Sequence, residues 1–324
     1  MPSDVLVEVS DLKKHFSVRT GGGIKKLRAL DGISFKLARA EVLGLVGESG
    51  SGKSTAGRTV LHLWEPTSGK IFFDGTEIRD KESIRALRRR AAMVFQDPYS
   101  SLDPRMTVED IIAEPLDIQE TALSKAERRE RVRSLVETVG LPAEHTRRYA
   151  HEFSGGQRQR IGIARAISTR PDLIIADEPV SALDVSVQAD IINMFARLRE
   201  DMGLTYIFIA HDLLVVRYIS DKIAVMYLGK IVELADTEEL FGSPLHPYTK
   251  MLLSAVPIPD PREARARRLT LVRSEIPSSL DIPSGCPFHK RCPYARDICR
   301  DAVPIFREFG NGHLAACHRI EEIN

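Results

Sequence analysis

The sequence predicts an α/β fold with a parallel sheet at its centre, and three apolar segments carry that prediction. Residues 42–46, 173–176 and 205–210 are continuous apolar runs, which are typical of strands buried on both faces. The first run ends in a glycine-rich loop, the second in two acidic residues and the third in a histidine. Because the carboxyl ends of parallel strands lie at one edge of a sheet, we expect the functional residues there.

The glycine-rich loop matches the pattern G-x-x-x-x-G-K-[ST] with the residues Gly47, Glu48, Ser49, Gly50, Ser51, Gly52, Lys53 and Ser54. Its backbone N–H groups can point at anionic oxygens, and the helix expected from Thr55 onward presents a positive N-terminus. In such a loop Lys53 reaches the β- and γ-phosphates, and the Ser54 hydroxyl binds Mg²⁺. A chance glycine-rich turn is the alternative, but the preceding strand and following helix disfavour it. The motif therefore predicts a P-loop nucleotide-binding core.

The polar residues after the other two runs suit phosphate chemistry. Asp177 is placed to bind Mg²⁺, usually through water. Glu178, on the opposite side of the pleat, can orient and activate a water molecule. His211 can donate a hydrogen bond to a γ-phosphate. Taken alone, two acids after a strand are more often a helix cap and first-turn charges, and a lone histidine is usually a structural residue. Beside a phosphate loop, the catalytic interpretation is favoured.

The remaining pattern predicts an antiparallel β subdomain and a helical subdomain. Alternating strands are expected at 5–9 and 33–37, and a further strand at 69–75. From about 103 to 169 the pattern is helical. The arginine-rich runs near 88–90 and 128–131 are expected to be solvated helix faces.

Length and charge set broad limits. The chain has 324 residues, with 46 basic and 45 acidic side chains, which argues against a nucleic-acid-binding surface over the whole protein. No apolar stretch approaches the ~20 residues that span a bilayer. The N-terminal residues lack the layout of a signal peptide. We therefore expect a cytoplasmic chain that reaches a membrane only through partners.

The ordered set of motifs resembles the ATP-binding-cassette ATPases over residues 5 to 240. It consists of the phosphate loop, Gln96, Ser154, Gly155, Gly156, Gln157, Asp177, Glu178, Asp184 and His211. The resemblance implies that the signature segment 153–157 caps the γ-phosphate of an ATP held by a second subunit. It also implies that Gln96 senses nucleotide and Mg²⁺, that Asp184 bridges the dimer, and that Phe16 stacks on adenine. No catalytic position is replaced, so the resemblance implies a working ATPase.

Two further regions resemble the oligopeptide and dipeptide importer ATPases: residues 96–104, and a tail with Ser243 to Thr249 and Pro283 to Phe288. The resemblance implies a cassette domain over 1–242 and a C-terminal extension over 243–324. It also implies a second cassette subunit in a heterodimer, two transmembrane permeases and an extracytoplasmic peptide-binding protein. The chain would then lie at the cytoplasmic face of the inner membrane, without nucleic acid.

Three alternatives remain open at this point. Importers of nickel or another small solute have tails of a similar kind. A cassette ATPase acting on nucleic acid or the ribosome would usually carry two cassettes or large inserted arms, which the sequence lacks. A non-catalytic regulatory cassette would be expected to lack Glu178 or His211.

All four cysteines lie in the extension: Cys286, Cys292, Cys299 and Cys317. A disulfide framework is disfavoured in a cytosolic protein. The gaps of five, six and seventeen residues lack the short knuckles of most zinc sites, yet they can place four thiolates around an iron–sulfur cluster. The family resemblance implies a [4Fe–4S] cluster, with zinc and free thiols as alternatives. His289, His313 and His318 are near enough in sequence to be alternative ligands.

Overall fold

The structure is a computed structural model that describes residues 4–21, 23–120, 123–256 and 277–323. Its contacts divide the chain into two compact units. We call residues up to 6, 37–42 and 73–209 the helical unit. We call residues 7–36, 43–72 and the described part of 210–324 the P-loop unit.

The described residues form the following elements. The strands are β1 (Val5–Thr20), β2 (Gly23–Ala38), β3 (Val42–Val46), β4 (Ser68–Phe73), β5 (Thr76–Glu77), β6 (Ala91–Val94), β7 (Leu173–Asp177), β8 (Thr205–Ile209), β9 (Lys222–Tyr227), β10 (Lys230–Asp236), β11 (Arg307–Glu308) and β12 (Leu314–Ala315). The helices are α1 (Lys53–Val60), α2 (Lys81–Arg90), α3 (Val108–Gln119), α4 (Lys125–Thr138), α5 (Gly155–Ile167), α6 (Val185–Met202), α7 (Leu213–Ile219), α8 (Thr237–Gly242), α9 (Pro247–Ser254), α10 (Asp297–Asp301) and α11 (Ile320–Ile323).

The helical unit contains three parallel strands in the order β6, β7, β8. Ile174 of β7 stands opposite Ala92 on one side and Tyr206 on the other. Every residue of β7 and β8 is buried, as the continuous apolar runs predict. Their registered pairing aligns the carboxyl ends of these strands.

Helices α3, α4 and α5 occupy most of the segment that the pattern predicts as helical. Val132 and Val136 of α4 are fully buried on one face of that helix. Ser124 is the N-cap of α4 in a capping box, in which the Ser124 backbone N–H donates to the Glu127 carboxylate at 2.9 Å. Local capping and a buried apolar stripe together explain why this segment is helical.

The arginine runs are not uniformly solvated, contrary to the expectation from sequence. Arg90 pairs with Asp74 at 2.8 Å and with Asp172 at 2.5 Å. Arg128 on α4 makes a double hydrogen bond to Asp117 on α3, at 2.8 and 3.0 Å. These guanidinium groups tie separate elements together because a planar fork matches a carboxylate.

The P-loop unit contains a second set of paired strands. β3 is parallel to β9, and β9 is antiparallel to β10. Strands β2, β1 and β4 are hydrogen-bonded in that order in a separate sheet. At Gly44 in β3 an added Cβ would lie 2.1 Å from a methyl group of Val216, so the close packing of α7 on β3 requires glycine there.

The C-terminal extension adds two strands to the sheet of this unit. Strand β12 pairs antiparallel with β10, so that Glu233 stands opposite Ala315, and β11 pairs with β12. The buried carboxylate of Glu233 bonds to His313 at 2.8 Å. Residues 257–276, which include several prolines and the basic run from Arg262 to Arg268, lie outside the described residues. No helix within the described ranges is long and apolar enough to cross a membrane.

Candidate functional site

The phosphate loop lies between β3 and α1 and depends on glycine at two positions. Gly47 has φ 150° and Gly52 has φ 106°, values that side-chain-bearing residues rarely adopt. A Cβ at Gly47 would lie 2.2 Å from the Met226 carbonyl oxygen, and one at Gly52 would lie 2.3 Å from the Ala29 carbonyl oxygen. The loop conformation therefore excludes any larger residue at either position.

Lys53 is buried, with 5% of its surface exposed. Its Nζ donates to the carbonyl oxygens of Gly47 at 2.8 Å and Glu48 at 3.2 Å. Lys53 begins α1, whose N-cap Gly52 provides no side-chain hydrogen bond to the first turn. A helix N-terminus capped by glycine and flanked by a lysine suits a phosphate group, and Ser54 and Thr55 lie in that first turn.

The acidic pair lies at the end of β7 in the helical unit. Asp177 is completely buried, whereas Glu178 is half-buried. Glu178 has φ 47°, a left-handed conformation that costs energy for a residue with a side chain and is concentrated at functional sites. Gln96, after β6, donates from Nε2 to the Glu178 carboxylate at 2.8 Å. The structure thus brings two predicted catalytic residues, Gln96 and Glu178, into direct contact.

The predicted signature segment forms the N-terminus of α5. Ser154 is the N-cap, and it exchanges hydrogen bonds with Gln157 in a capping box, at 3.1 and 3.4 Å. Packing also explains why glycine occupies position 156, because a Cβ there would lie 2.5 Å from Cγ1 of Val187 on α6. Gly155 has more room, since its nearest neighbour, a Leu183 methyl group, is 3.4 Å away.

Asp184 and His211 are both exposed. Asp184 precedes α6 as its N-cap without a side-chain capping bond, and the neighbouring Val185 is 82% exposed. His211 follows β8, and the next residue, Asp212, caps α7 by accepting from the Leu214 N–H at 2.8 Å. Both predicted residues therefore present their side chains to solvent.

Phe16 on β1 is half-buried. Its ring meets Trp64 edge to face, with centroids 5.2 Å apart, and Lys14 lies 4.9 Å above it. The Trp64 contact was not expected from sequence. Adenine stacking by Phe16 stays a prediction.

Cys317 accepts a hydrogen bond from the backbone two residues further on. The Arg319 N–H donates to its sulfur at 3.4 Å. Backbone N–H groups that point at sulfur stabilise a thiolate and surround metal-bound cysteines.

Burial acts in the opposite direction on these thiols. It raises the pKa of Cys286 to about 12 and the pKa of Cys292 to about 11. Without a cation the thiols therefore stay protonated at neutral pH, and a metal would displace their protons.

The four sulfurs are neighbours that do not converge on one point. Cys292, Cys299 and Cys317 each raise the pKa of Cys286 through their charge. Yet within the described ranges no three His, Cys, Asp or Glu side chains are arranged to hold a metal ion. Thiol sulfur is a suitable donor for a soft metal, but this arrangement of the described side chains does not form a metal site.

Two contacts of the phosphate loop were not predicted from sequence. Arg291 makes a double hydrogen bond to the Glu48 carboxylate, at 2.6 and 2.9 Å. The Tyr248 hydroxyl accepts from the Glu48 N–H at 2.9 Å. Neither residue belongs to a nucleotide motif, and the only signal was indirect: Tyr248 lies in the proline-rich segment after α8, and Arg291 adjoins Cys292.

Two family models match parts of the chain. Residues 30–181 match the family model described as ABC transporter. Residues 232–299 match the model described as oligopeptide/dipeptide transporter, C-terminal region. The oligopeptide transport ATP-binding protein OppF of Bacillus subtilis is 56% identical over 323 residues, covering 98% of both chains. AppF, an oligopeptide transport ATP-binding protein of the same organism, is 50% identical and covers 97% of both chains.

Solved structures give the same fold. The ATP-binding cassette MJ0796, as a dimer in a post-hydrolysis state with ADP and phosphate, is 28% identical with a TM-score of 0.65. That match covers 72% of this chain and 99% of the cassette. CbiO1 of Clostridium perfringens, part of the ABC transporter complex cbiONQ, is also 28% identical with a TM-score of 0.65, over 74% of this chain and 92% of its own.

Proposed function

The chain is an ATPase of the ABC transporter family with a C-terminal region of the oligopeptide/dipeptide transporter type, and on that premise we propose that it powers the import of di- and oligopeptides through a membrane transporter. The observation that carries the proposal is the similarity to OppF and AppF along nearly the whole chain, extension included. The intact phosphate loop and the presence of Glu178 support an active enzyme rather than a regulatory one.

We infer the following roles for the site residues. Lys53 and the first turn of α1 would bind the phosphates of ATP. Ser54 and Asp177 would be ligands of Mg²⁺, which would neutralise charge on the phosphates. Glu178 takes a proton from the attacking water, while the Gln96 amide fixes the orientation of its carboxylate. His211 donates to the γ-phosphate. Residue chemistry supports each role, and the hydrogen bond from Gln96 to Glu178 supports the role of Gln96.

The partners of this proposal are a second cassette subunit, two permeases and a peptide-binding protein acting through the permeases. The N-cap residues Ser154 and Asp184 are exposed and are available to a second subunit. In the proposed dimer, the segment Ser154 to Gln157 of this chain would cap the ATP bound by the partner. Association with the permeases places the chain at the cytoplasmic face of the membrane as a peripheral subunit.

We also propose that the four cysteines bind a [4Fe–4S] cluster, with zinc as the alternative. When bound, such a cluster supplies a rigid link between Cys286, Cys292, Cys299 and Cys317. The Arg319 N–H that donates to the Cys317 sulfur supports a thiolate-bound metal, and soft thiolates favour iron–sulfur or zinc over magnesium.

Reconstitution tests the proposed function. The complex that co-purifies with this chain from its native membrane would be placed in liposomes with ATP inside. We expect ATP-dependent uptake of labelled di- to pentapeptides, and none when Glu178 is replaced by Gln. Uptake of a nickel ion instead of peptide, or co-purification with ribosomes in place of permeases, would refute the peptide-import proposal.

A further inference from the structure

The phosphate loop is held from outside by two residues of the C-terminal region. Glu48, the second residue of the loop, receives both terminal nitrogens of Arg291 on its carboxylate and offers its backbone N–H to the Tyr248 hydroxyl. These partners lie 243 and 200 residues away in sequence. We propose that Arg291 and Tyr248 are positioning residues for ATP binding, so that the cysteine-bearing extension completes the nucleotide site.

The loop needs such a support because its own backbone provides little stiffness. Gly47, Gly50 and Gly52 all have positive φ, and glycine is the most conformationally free residue. Two hydrogen bonds within the loop are accepted by Glu48. Its carbonyl oxygen accepts from the Ser51 N–H at 3.1 Å and from Lys53 Nζ at 3.2 Å. A displacement of Glu48 therefore moves both the loop amides and the lysine that face phosphate.

The contact between Arg291 and Glu48 is suited to holding the phosphate loop in position. The Arg291 side chain is only 6% exposed and the Glu48 side chain 22%, so solvent screens the pair less than a surface pair. Hydrogen bonding to Glu48 raises the pKa of Arg291, which keeps the guanidinium charged. Its guanidinium lies 5.8 Å from the rings of Tyr227 and Phe288, and Phe288 in turn packs on Tyr248, 5.4 Å between centroids.

The same turn carries a cysteine. The N–H groups of Arg291 and Cys292 both donate to the Phe288 carbonyl oxygen, at 2.9 and 3.0 Å. Order in the cysteine region is therefore linked to order in the phosphate loop. Coupling between two sites is reciprocal. If an ordered turn at Cys292 raises the affinity for nucleotide, a bound nucleotide must therefore favour the ordered turn by the same factor and protect the Cys292 thiol from reaction. The inference rests on the proposed role of the phosphate loop, and it does not depend on which metal the cysteines hold.

A double-mutant cycle on the full chain tests this inference. The Kd of fluorescent Mg·ADP would be measured for Glu48→Gln, Arg291→Gln and the double variant. We expect each single change to raise Kd about tenfold, the effect of a lost charge-assisted hydrogen bond. The Kd of the double variant should be close to the higher of the two single-variant Kd values, because the two residues share one interaction. KM for ATP should rise more than kcat falls.

Two further variants keep the result interpretable. Arg291→Lys keeps the charge but loses the two-pronged geometry, so it should recover part of the affinity. Arg300→Gln is the matched control: Arg300 also adjoins a cysteine, but its side chain is 68% exposed and pairs with Asp297. We expect this control to bind ADP normally. Equal weakening by Arg300→Gln, or additive effects in the cycle, would overturn the inference.

The reciprocal effect has its own measurement. In metal-free protein, the alkylation rate of Cys292 by iodoacetamide, followed by mass spectrometry, should fall several-fold with Mg·ADP. It should not change with Mg·ADP in Arg291→Gln. Absence of ADP binding by the unaltered chain would overturn the phosphate-loop assignment and the inference together. Normal ADP binding that is insensitive to Arg291 would overturn the inference alone.

Discussion

Glu178 has a left-handed backbone conformation, which is unfavourable for glutamate. Its φ of 47° is maintained by a hydrogen bond from its N–H to the Ile209 carbonyl oxygen at 3.0 Å, and Gln96 fixes the carboxylate at 2.8 Å. Strained residues persist where the surroundings over-determine them. The position of the proposed base is therefore set before substrate arrives, which favours proton transfer from a positioned water.

Replacing Glu178 with Gln tests that role. The amide preserves shape but cannot accept the proton, so we expect turnover to fall on the order of a hundredfold or more with Mg·ATP affinity unchanged. Phosphate release and nucleotide binding would be measured on the same preparations. The control is Glu137→Gln, at a surface carboxylate 55% exposed on α4, which should leave both quantities unaltered. Near-normal hydrolysis by Glu178→Gln would remove Glu178 from the proposed mechanism.

His246 makes stability depend on pH. It is buried, and burial lowers its pKa from 6.5 to about 4, although the nearby Glu233 opposes the shift. Since the unfolded chain binds a proton near pH 6.5 and the folded chain does not, this contribution to stability is present above 6.5 and is lost as pH falls. We expect a loss of about 2 kcal/mol between pH 7 and 5 from this residue.

A conservative variant isolates that effect. His246 caps α9 by accepting from the Tyr248 N–H at 3.0 Å, and asparagine can cap in the same way without titrating. Urea unfolding of His246→Asn should therefore show a weaker decline in the free energy of unfolding between pH 7 and 5 than the unaltered chain. Identical declines would show that other groups dominate.

At the scale of elements, the packing of α5 against α6 depends on a glycine. A Cβ at Gly156 would lie 2.5 Å from Cγ1 of Val187, whereas one at Gly162, in the same helix, would meet nothing within 4 Å. We expect Gly156→Ala to lower the free energy of unfolding by about 1–3 kcal/mol, and Gly162→Ala to raise it by about 0.5–1 kcal/mol. Denaturant unfolding measures both.

A second substitution separates a steric clash from a loss of helix order. Val187→Ala removes the methyl groups that a Cβ at Gly156 would meet, so the Gly156→Ala, Val187→Ala double variant should lose less stability than the sum of the single changes. Additive losses would contradict the steric explanation.

Elements with a local pattern could be predicted, and those made by distant pairing could not. Strand β3 is found at residues 42–46, as its unbroken apolar run indicates, and β7 and β8 differ from prediction by a residue or so. Strands β11 and β12 have two residues each, too few to show a period of two. β12 exists because it pairs with β10, a contact that no local pattern reports.

In the whole molecule, too, local chemistry could be predicted and distant pairing could not. Motif residues such as Lys53 and Glu178 could be predicted because the chemistry of phosphate demands those side chains in that order. The Arg291–Glu48 pair could not, because the two residues are separated by 243 positions and either alone resembles a surface charge. The placement of the extension in the P-loop unit is therefore a result of the structure, while the division at residue 242 stays a prediction from sequence.

The cysteine centre makes a prediction about the intact protein. If Cys286, Cys292, Cys299 and Cys317 hold a [4Fe–4S] cluster, anaerobically purified protein should be brown and contain about four iron and four sulfide per chain. A Cys299→Ser variant should lose most of the iron, because a hydroxyl is a poor substitute for a soft thiolate. Hydrolysis at saturating ATP should fall far less than in Glu178→Gln, since the cysteines lie outside the nucleotide motifs.

Metal analysis decides between the remaining possibilities for this centre. Iron with acid-labile sulfide supports the cluster, whereas colourless protein with one zinc per chain supports the zinc alternative. Either metal should leave more slowly when Mg·ADP is bound, because nucleotide orders the turn that carries Cys292 through Arg291. Metal-free protein from anaerobic cells would show that the buried thiols, with a pKa of about 12 at Cys286 and about 11 at Cys292, remain protonated packing residues.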